Sequence, residues 1–316
     1  MNQNVNRVFA ACRLPFADTR RSRSHRRFSV GTLCRLLVAT LVFFVTTPEL
    51  LAQSGKPLFT APLGIQTYSF RKFIPKDLEG TLDTMKAMGF KEIEGGGTRN
   101  VSPEEFRKMC EKRGMKVVST GAGFEELDRA PDSVAMRAKK LGAKFVMCAW
   151  VPHQRGAFNL DDAKKAVEVF NRAGKVLKSQ GVTLAYHAHG YELQPYQNGT
   201  LLDYIFENTK PEDVSFEMDI MWMHFGGANP AELLRKYGNR WKLMHLKDLK
   251  KGTPKDLTGL TDEDNDVALG TGELNIPEIL KEAKRVGVQH YFIEDESSNV
   301  HNQVRQSIAY LKSLKE

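Results

Sequence analysis

After its first sixty residues the chain alternates short apolar runs with longer amphipathic stretches. The apolar runs span three to six residues and are rich in Val, Ile, Phe and Tyr, which is typical of buried strands. The amphipathic stretches repeat apolar residues three or four positions apart, which predicts helices. In the stretch Asp77–Met88, for example, Leu78, Leu82, Met85 and Met88 share one face. Counting along the chain gives eight units of a strand followed by a helix. The predicted helices are Asp77–Met88, Ser102–Arg113, Pro131–Leu141, Leu160–Ser179, Thr200–Glu207, Pro230–Tyr237, Ile276–Val286 and His301–Leu314.

Several junctions between a helix and the next strand repeat one feature. A glycine follows the helical pattern and the strand begins directly after it, at Gly89, Gly114, Gly142, Gly181 and Gly287. Glycine tolerates the left-handed backbone that ends a helix, so these junctions predict short connections. Eight such units predict a (β/α)₈ barrel, which needs about 250 residues. The alternative is an open doubly wound sheet of six units, which the lack of a GxGxxG after the first strand disfavours.

The first 52 residues read as a leader rather than as part of the barrel. An apolar run of twelve residues, Leu36–Thr47, is too short to span a membrane comfortably and follows a basic region. The arginines of that region are Arg20, Arg21, Arg23, Arg26, Arg27 and Arg35. With Ala52 as the last leader residue, residues 1–52 form a signal segment and residues 53–316 the barrel domain. Export to the periplasm or the medium is therefore predicted. An uncleaved anchor and a twin-arginine signal at Arg26 and Arg27 are the alternatives.

Removing the leader changes the charge of the protein. The whole chain carries +8 with an isoelectric point near 9.2. Eight arginines against two acidic residues give residues 1–52 a charge of +6, which leaves +2 for the domain. A net charge of +2 does not indicate binding to nucleic acid. After cleavage of the leader we expect no stable membrane anchor. Only Cys110 and Cys148 remain in the domain, and we expect two free buried thiols.

Four polar side chains stand at or just after the ends of the last four predicted strands, which are Val182–His187, Val214–Asp219, Trp241–Leu246 and Gln289–Glu294. The four side chains are Glu192, Asp219, His245 and Glu294. A parallel barrel gathers the carboxyl ends of its strands at one face, so these residues can converge although about a hundred positions separate them. Three carboxylates and one imidazole suit a divalent ion such as Mn²⁺, Co²⁺, Zn²⁺ or Mg²⁺. The sequence therefore predicts a site for one divalent metal ion.

Further candidates surround these four residues, each with a structural alternative. His187 is a candidate substrate contact or auxiliary base, and it could equally bond only to backbone. His189 could bind substrate or orient Glu192. Glu94 could contact a substrate hydroxyl or hydrogen-bond to one of the metal ligands. The remaining substrate-binding candidates are Trp150, Trp222, Lys247 and His153. The long segment Lys247–Asn275, with its glycines and charges, reads as a lid or binding loop.

Residues 63–314 resemble the sugar phosphate isomerase/epimerase-like superfamily, the xylose isomerase-like barrels. The matching motifs are Gly64-Ile-Gln-Thr-Tyr-Ser-Phe70, Tyr186-His-Ala-His189 to Glu192, Met218-Asp219 to Trp222, His245-Leu-Lys-Asp248, Gly270-Thr-Gly-Glu273 and Phe292-Ile-Glu294. The resemblance implies one divalent ion held by Glu192, Asp219, His245 and Glu294. It also implies that Glu192 and Glu294 act as an acid/base pair on opposite faces of a ketose.

The chain departs from common relatives in two ways. Many carry a histidine just after the third strand, where this chain has Ser119-Thr120-Gly121. No arginine cluster follows the strand ends, so a non-phosphorylated sugar is the expected substrate. The chemistry expected is removal of a proton next to a sugar carbonyl, with a Lewis-acidic metal stabilising the enolate.

Several functions follow from that chemistry. A sugar isomerase or epimerase and a lyase that splits 3-keto-glycosides by elimination weigh about equally. Catalysis would rest on Glu192 and Glu294, with His187 next. A non-catalytic sugar-binding module is the third possibility. DNA repair is disfavoured, because apurinic endonucleases share the barrel but need three zinc ions and several more His and Glu ligands. The sequence leaves a homo-oligomer open.

Overall fold

The computed structural model describes residues 55–316, so the predicted leader, residues 1–52, lies outside the described residues. Eight parallel strands form a closed barrel in chain order, with the eighth strand paired to the first. We number these strands β1 to β8. They are Leu63–Gln66, Glu92–Glu94, Lys116–Gly121, Phe145–Cys148, Thr183–Ala188, Val214–Asp219, Trp241–Leu246 and His290–Ile293. The predicted (β/α)₈ barrel is confirmed.

Residues 55–316 contain ten α-helices, nine between successive strands of the barrel and one after β8. They are α1 Leu78–Met88, α2 Pro103–Lys112, α3 Phe124–Arg129, α4 Pro131–Leu141, α5 Leu160–Ser179, α6 Leu201–Asn208, α7 Ile220–Phe225, α8 Pro230–Tyr237, α9 Ile276–Val286 and α10 Val300–Ser313. Eight of them were predicted within one or two residues. The two helices missed, α3 and α7, have six residues each, which is too short for a helical period to show.

Local signals in the sequence set the helix ends. Ser102 caps α2 in a capping box, in which its hydroxyl accepts from the backbone of Glu105 and the Glu105 carboxylate accepts from the backbone of Ser102. The five junction glycines all have φ between 73° and 96°. A side chain is disfavoured in that left-handed region, so glycine ends these helices and the next strand follows at once.

The barrel interior is layered. Phe145, Ala185, Leu243 and Phe292 form a separate apolar cluster inside the strands. Side chains alternate between the two sides of a strand, so the residues two positions later on β5, β7 and β8 also point inward. Those residues are His187, His245 and Glu294. An apolar layer therefore supports a polar layer that lies closer to the carboxyl ends of the strands.

The long loop after β7 is an ordered structure. Asp248–Leu249 pairs with Asp266–Val267 as two short antiparallel strands. The Asp248 carboxylate accepts backbone N–H groups at 2.9 to 3.1 Å. Their donors are Leu249, Gly270, Gly272 and Leu274. One buried carboxylate thus fixes both ends of the loop to β7.

No helix within residues 55–316 has the length and the apolar character needed to cross a membrane.

Cys110 and Cys148 are both buried and free, as predicted. Burial raises the pKa of each thiol to about 12, so both are held in the unreactive protonated form.

Candidate metal centre and substrate cavity

Three side chains from neighbouring strands converge inside the barrel. Asp219 ends β6, while His187 and His245 each lie one residue before the end of β5 and β7, respectively. One ligand atom of each lies within 4.8 Å of those of the other two. Oδ2 of Asp219 is 3.7 Å from Nε2 of His187 and 3.7 Å from Nδ1 of His245. We call these three residues the inner trio.

The three facing atoms of the inner trio lack hydrogen-bond partners. Nε2 of His187, Oδ2 of Asp219 and Nδ1 of His245 are buried, and no group of residues 55–316 bonds to them. Leaving one buried polar atom unpaired costs about 1–3 kcal/mol, so three together at one point need a compensating ligand. Two imidazole nitrogens and a carboxylate oxygen form a donor set that suits a divalent transition metal.

The opposite atoms of the two imidazoles are held by carboxylates. Nδ1 of His187 lies 3.2 Å from Oε2 of Glu217, and Nε2 of His245 lies 2.6 Å from Oε1 of Glu94. Glu94 is fixed in turn by the side-chain amide of Gln66, at 2.7 Å. Carboxylates behind metal-binding histidines fix the tautomer and aim the free nitrogen at the ion. Both histidines of the inner trio have this arrangement.

Glu294 lies beside the inner trio. Its Oε2 is 3.2 Å from Nδ1 of His245 and 3.1 Å from Nζ of Lys247. The ammonium of Lys247 is buried and also bonds to Glu296 at 2.5 Å, with Asp266 at 3.7 Å. Lys247 therefore neutralises a group of carboxylates instead of projecting freely into solvent.

Glu192 does not lie with the inner trio. The strand ends at Ala188 and the chain turns at Gly190, whose φ is 87° and where a Cβ would come within 2.4 Å of a backbone oxygen of Trp222. Glu192 follows in a single 3₁₀ turn and is fully buried. Its carboxylate accepts the Tyr186 hydroxyl and the backbone N–H of His189. The turn thus directs Glu192 to the side of β5 on which Tyr186 lies.

A cavity of about 1180 Å³ opens above the inner trio. Its wall includes three of the six substrate-binding candidates, two of the three catalytic candidates and one further metal-ligand candidate: Trp150, His189 and Trp222, then His187 and Glu294, then His245. His189 stacks on Trp222 with ring centroids 5.4 Å apart, and its Nδ1 has no partner in the described chain. Nε1 of Trp222 is likewise buried and unpaired within residues 55–316.

Two substrate-binding candidates lie behind the cavity wall. Glu94 is fully buried and bonds to His245 and Gln66. His153 stacks on Trp150 with centroids 4.9 Å apart, and its Nδ1 lies 2.7 Å from the backbone oxygen of Val151. These contacts give both residues a supporting position.

Three arginines also line the cavity: Arg71, Arg99 and Arg137. These residues come from loops and from α4, whereas the expectation of no arginine cluster concerned the ends of the strands. Two of them are already paired. Arg71 bonds to Glu263 at 2.7 Å, and Arg137 bonds to Glu126 at 2.9 Å.

The environment shifts the pKa values of the buried groups. Burial, followed by the neighbouring His245 and His189, holds the pKa of His187 well below its usual value, so its imidazole is neutral. Burial acts to lower the pKa of His245 as well, but Glu217, Glu294 and Glu94 outweigh it and raise that pKa well above its usual value. Burial raises the pKa of Glu217, and the nearby Glu94 raises it further. The buried carboxylates of the inner barrel therefore favour a positive charge next to them.

Comparison with known proteins identifies the family. A family model described as the xylose isomerase-like TIM barrel matches residues 82–314. The chain belongs to the xylose isomerase-like TIM barrel family. The resemblance inferred from the motifs is thereby confirmed.

Curated relatives and solved structures are similar to parts or most of this chain. An inosose dehydratase of Clostridium perfringens (strain 13 / Type A) is 26% identical over 193 residues, which cover 55% of this chain and 64% of that protein. The match therefore spans less than two thirds of the curated relative. A sugar phosphate isomerase/epimerase from Parabacteroides distasonis ATCC 8503 is 26% identical, with a TM-score of 0.67 over 80% of this chain and 95% of its own. The IOLI protein with a bound zinc atom is 15% identical, with a TM-score of 0.61 over 79% and 96% of the two chains.

Two members of the polar cluster in this xylose isomerase-like barrel escaped the sequence interpretation. Glu217 lies in the middle of an apolar run, but it is two residues before Asp219 and so shares its inward side. His187 was considered only for substrate or base roles. The same period of two, counted from Ala185, places its side chain inside the barrel, whereas Glu192 lies beyond the strand end.

Proposed function

We propose that this protein is a metal-dependent lyase that removes a proton next to the carbonyl of a keto sugar and expels a substituent from the adjacent carbon. The observation that carries the proposal is the position of Glu192. An epimerase of the kind implied by the resemblance uses two glutamates on opposite faces of the sugar. Here Glu192 is bonded to Tyr186 and His189 away from the cavity. The carboxylates that line the cavity within residues 55–316, Glu294 and Glu296, belong to the end of one strand.

An elimination needs less than an epimerisation. One group removes the proton and the same or another group returns a proton to the departing oxygen, so a second carboxylate on the opposite face is unnecessary. The inosose dehydratase of Clostridium perfringens is by its name a lyase of a keto sugar, and its similarity supports this choice.

Each residue then has a role in the proposal. His187, Asp219, His245 and Glu294 hold the ion, in place of the set that contained Glu192. A divalent ion bound there would polarise the carbonyl of the substrate and so favour loss of the neighbouring proton. His189 is the proposed base, because it lines the cavity and its Nδ1 has no partner in the described chain. Trp222 holds the His189 ring from one side, at 5.4 Å.

The proton balance closes on His189. The imidazole takes the proton from carbon, the electron pair forms a carbon–carbon double bond, and the bond to the leaving oxygen breaks. The imidazolium then donates its proton to that oxygen, so the residue returns to its starting form. Glu294 is a poorer base, since its Oε2 already accepts a hydrogen bond from Lys247 and the proposal makes it a ligand of the ion.

The experiment is proton NMR in D₂O on the domain with Mg²⁺, supplied with free ketoses and with a 3-keto-glucoside, with and without chelator. Chelator-sensitive release of the aglycone supports the lyase. Deuterium exchange in a free ketose, with no bond broken, would favour the second candidate, an isomerase or epimerase. That candidate is kept because the Parabacteroides distasonis protein is similar over most of the chain. If the protein contains no metal, binds sugars and catalyses neither reaction, the result supports a binding module.

The variants His189→Ala and Glu294→Gln test the roles. Loss of turnover in His189→Ala with metal content unchanged supports a base at that position. Turnover at the wild-type rate in either variant would remove that residue from the mechanism.

Export is part of the proposal as well. We propose that residues 1–52 direct the protein out of the cytoplasm and that the mature chain begins at Gln53. The arginine-rich segment followed by twelve apolar residues supports this. Mass spectrometry of the protein recovered from the periplasm of a Gram-negative host tests the cleavage site, and a full-length chain retained in the cytoplasm would contradict it.

A further inference from the structure

The rim of the cavity carries exposed apolar surface. Only three large hydrophobic side chains within residues 55–316 are strongly exposed, and two of them, Tyr68 at 51% and Leu260 at 42%, line this cavity. The third, Met136 at 53%, lies on α4 outside the lining. Single exposed apolar residues are ordinary, but two at the mouth of one cavity indicate a surface that a ligand covers.

Tyr68 is held in place although half of it is exposed. The guanidinium of Arg71 lies 4.5 Å from the centre of its ring. Arg71 is fixed in turn by Glu263 at 2.7 Å and by the backbone oxygen of Glu296 at 2.9 Å. A cation against an aromatic ring stabilises its position, so little conformational entropy remains to be lost when a ligand binds. Tyr68 is therefore a preorganised aromatic platform.

The platform is connected to the inner trio through hydrogen bonds. The side-chain oxygen of Gln66 accepts the backbone N–H of Tyr68 at 3.1 Å. The amide of Gln66 donates to Glu94, and Glu94 bonds to His245. This chain of contacts fixes the platform relative to the centre where the chemistry is proposed.

The cavity is larger than one sugar ring requires. Cavities that enclose a whole drug-sized ligand measure roughly 300–1,000 Å³, and this one measures about 1180 Å³. Its wall runs from the buried His187 and His245 to the exposed Tyr68 and Leu260. A keto sugar at the inner end therefore leaves space at the rim.

We propose that the rim is a subsite for a second hexose, stacked on Tyr68 and joined to the keto sugar by a glycosidic bond. The inference rests on the proposed function, whose leaving group it specifies. The proton leaves the carbon next to the carbonyl, and a double bond forms to the anomeric carbon. The glycosidic C–O bond breaks with its electrons on oxygen, which takes the proton. The second hexose departs from the rim as a free sugar.

Equilibrium binding tests the subsite without turnover. Trp150 and Trp222 line the cavity, so indole fluorescence can follow titration with unoxidised glucose, cellobiose, maltose and phenyl β-glucoside. At least one disaccharide should bind about tenfold more tightly than glucose. The variant Tyr68→Ala should remove most of that gain, while Tyr68→Phe should keep it because the ring remains. The variant Met136→Ala, at an exposed residue outside the cavity, is the matched control.

The outcomes separate the possible occupants. Disaccharides that bind no better than glucose, or a gain that Tyr68→Ala leaves intact, overturn the subsite. A gain confined to phenyl β-glucoside overturns the hexose and assigns the rim to an aromatic aglycone.

Kinetics with a 3-keto-disaccharide separate this inference from the proposed function. Tyr68→Ala should raise KM about tenfold with a smaller change in kcat. If Tyr68→Ala releases sugar with the same KM as wild type, the elimination is supported and the subsite is overturned. Tyr68-dependent binding without any release would keep the subsite and overturn the elimination.

Discussion

Two buried polar clusters lie on either side of strand β5, and they differ in how their hydrogen bonds are satisfied. On the inner side, His187, Asp219 and His245 direct three unpaired atoms at one point. On the outer side, both carboxylate oxygens of Glu192 accept hydrogen bonds, from Tyr186 and from the His189 backbone. A buried carboxylate whose oxygens all accept hydrogen bonds stabilises the fold. Several buried polar atoms that lack hydrogen-bond partners and point at one position instead form a site for a ligand.

A single step in the sequence separates the two clusters. Tyr186 and His187 are consecutive residues of one strand, so their side chains point to opposite sides of the barrel wall. Tyr186 packs among the helices, with its ring 4.8 Å from that of Phe170, while His187 points into the barrel. The same strand thus supplies one residue to a structural network and the next to the candidate metal centre.

The largest effect is expected for Asp219→Asn compared with Glu192→Gln. Oδ1 of Asp219 caps α7 through the N–H of Trp222 at 2.9 Å, and Asn keeps that bond. Its amide nitrogen would replace the oxygen that faces the two imidazoles. Because even residues behind metal ligands change affinity by about 10–100-fold, we expect Asp219→Asn to lower Mn²⁺ affinity more than about a hundredfold. Isothermal titration of the metal-free protein measures it.

Glu192→Gln is the matched variant, since it makes the same chemical change on the other side of β5. It should bind Mn²⁺ within about threefold of wild type. Equal losses in the two variants would break the distinction between the clusters and return Glu192 to the ligand set.

The next effect is the pH dependence of stability that Glu192 contributes. Burial raises its pKa from 4.5 to about 7, although Tyr186 and backbone N–H groups act in the opposite direction. The folded state therefore binds this proton more tightly than the unfolded state does. The stabilisation is fully present below pH 4.5 and is lost as the pH rises to about 7. At about 1.4 kcal/mol per pKa unit, the loss is about 3–4 kcal/mol.

Urea unfolding of wild type and Glu192→Gln between pH 4.5 and 8, with chelator present throughout, isolates this contribution. The free energy of unfolding of wild type should fall relative to the variant as the pH rises. Parallel curves for the two proteins would show that the pKa of Glu192 is unshifted and that water reaches its carboxylate.

A smaller effect is expected for Glu217→Gln, which changes the residue behind His187. Oε2 of Glu217 lies 3.2 Å from Nδ1 of His187 and fixes the orientation of that ring. We expect a loss of Mn²⁺ affinity of about 10–100-fold. Glu212→Gln, at an exposed position just before β6, is the control and should change nothing. If Glu217→Gln binds Mn²⁺ as tightly as wild type, the ring of His187 does not need Glu217 to hold its orientation.

Most of the fold could be predicted because its signals are local. The capping residues around Ser102 and the five junction glycines depend on neighbours within a few positions. The apolar runs that became β6 and β7 match the structure residue for residue. The helices α3 and α7 escaped because six residues do not complete two helical turns.

The candidate site was harder to predict because it depends on where each strand ends. Asp219 and His245 come together because β6 and β7 carry them to their ends with the side chains inward. For Glu192, the position of the turn at Gly190 decides the direction of the side chain, and the spacing HxHxxE does not reveal it. The arginines of the cavity wall belong to loops and a helix, whose positions no periodicity in the strands predicts.

The smallest effect is expected for a change of Tyr186, a hydrogen-bond partner of Glu192 in the cluster on the outer side of β5. Tyr186→Phe removes the hydroxyl that donates to Glu192 and keeps the ring that packs on Phe170. An unfulfilled buried acceptor costs about 1–3 kcal/mol, and we expect a loss near the lower end because His189 still donates to both oxygens. The Tyr186 hydroxyl also lowers the pKa of Glu192, so its removal should move the pH-dependent loss of stability above pH 7. Urea unfolding across that range measures both effects, with Tyr196→Phe, whose hydroxyl is near the surface, as the control. Unchanged stability and an unchanged pH profile in Tyr186→Phe, together with a loss of metal, would mean that the two sides of β5 act as one cluster.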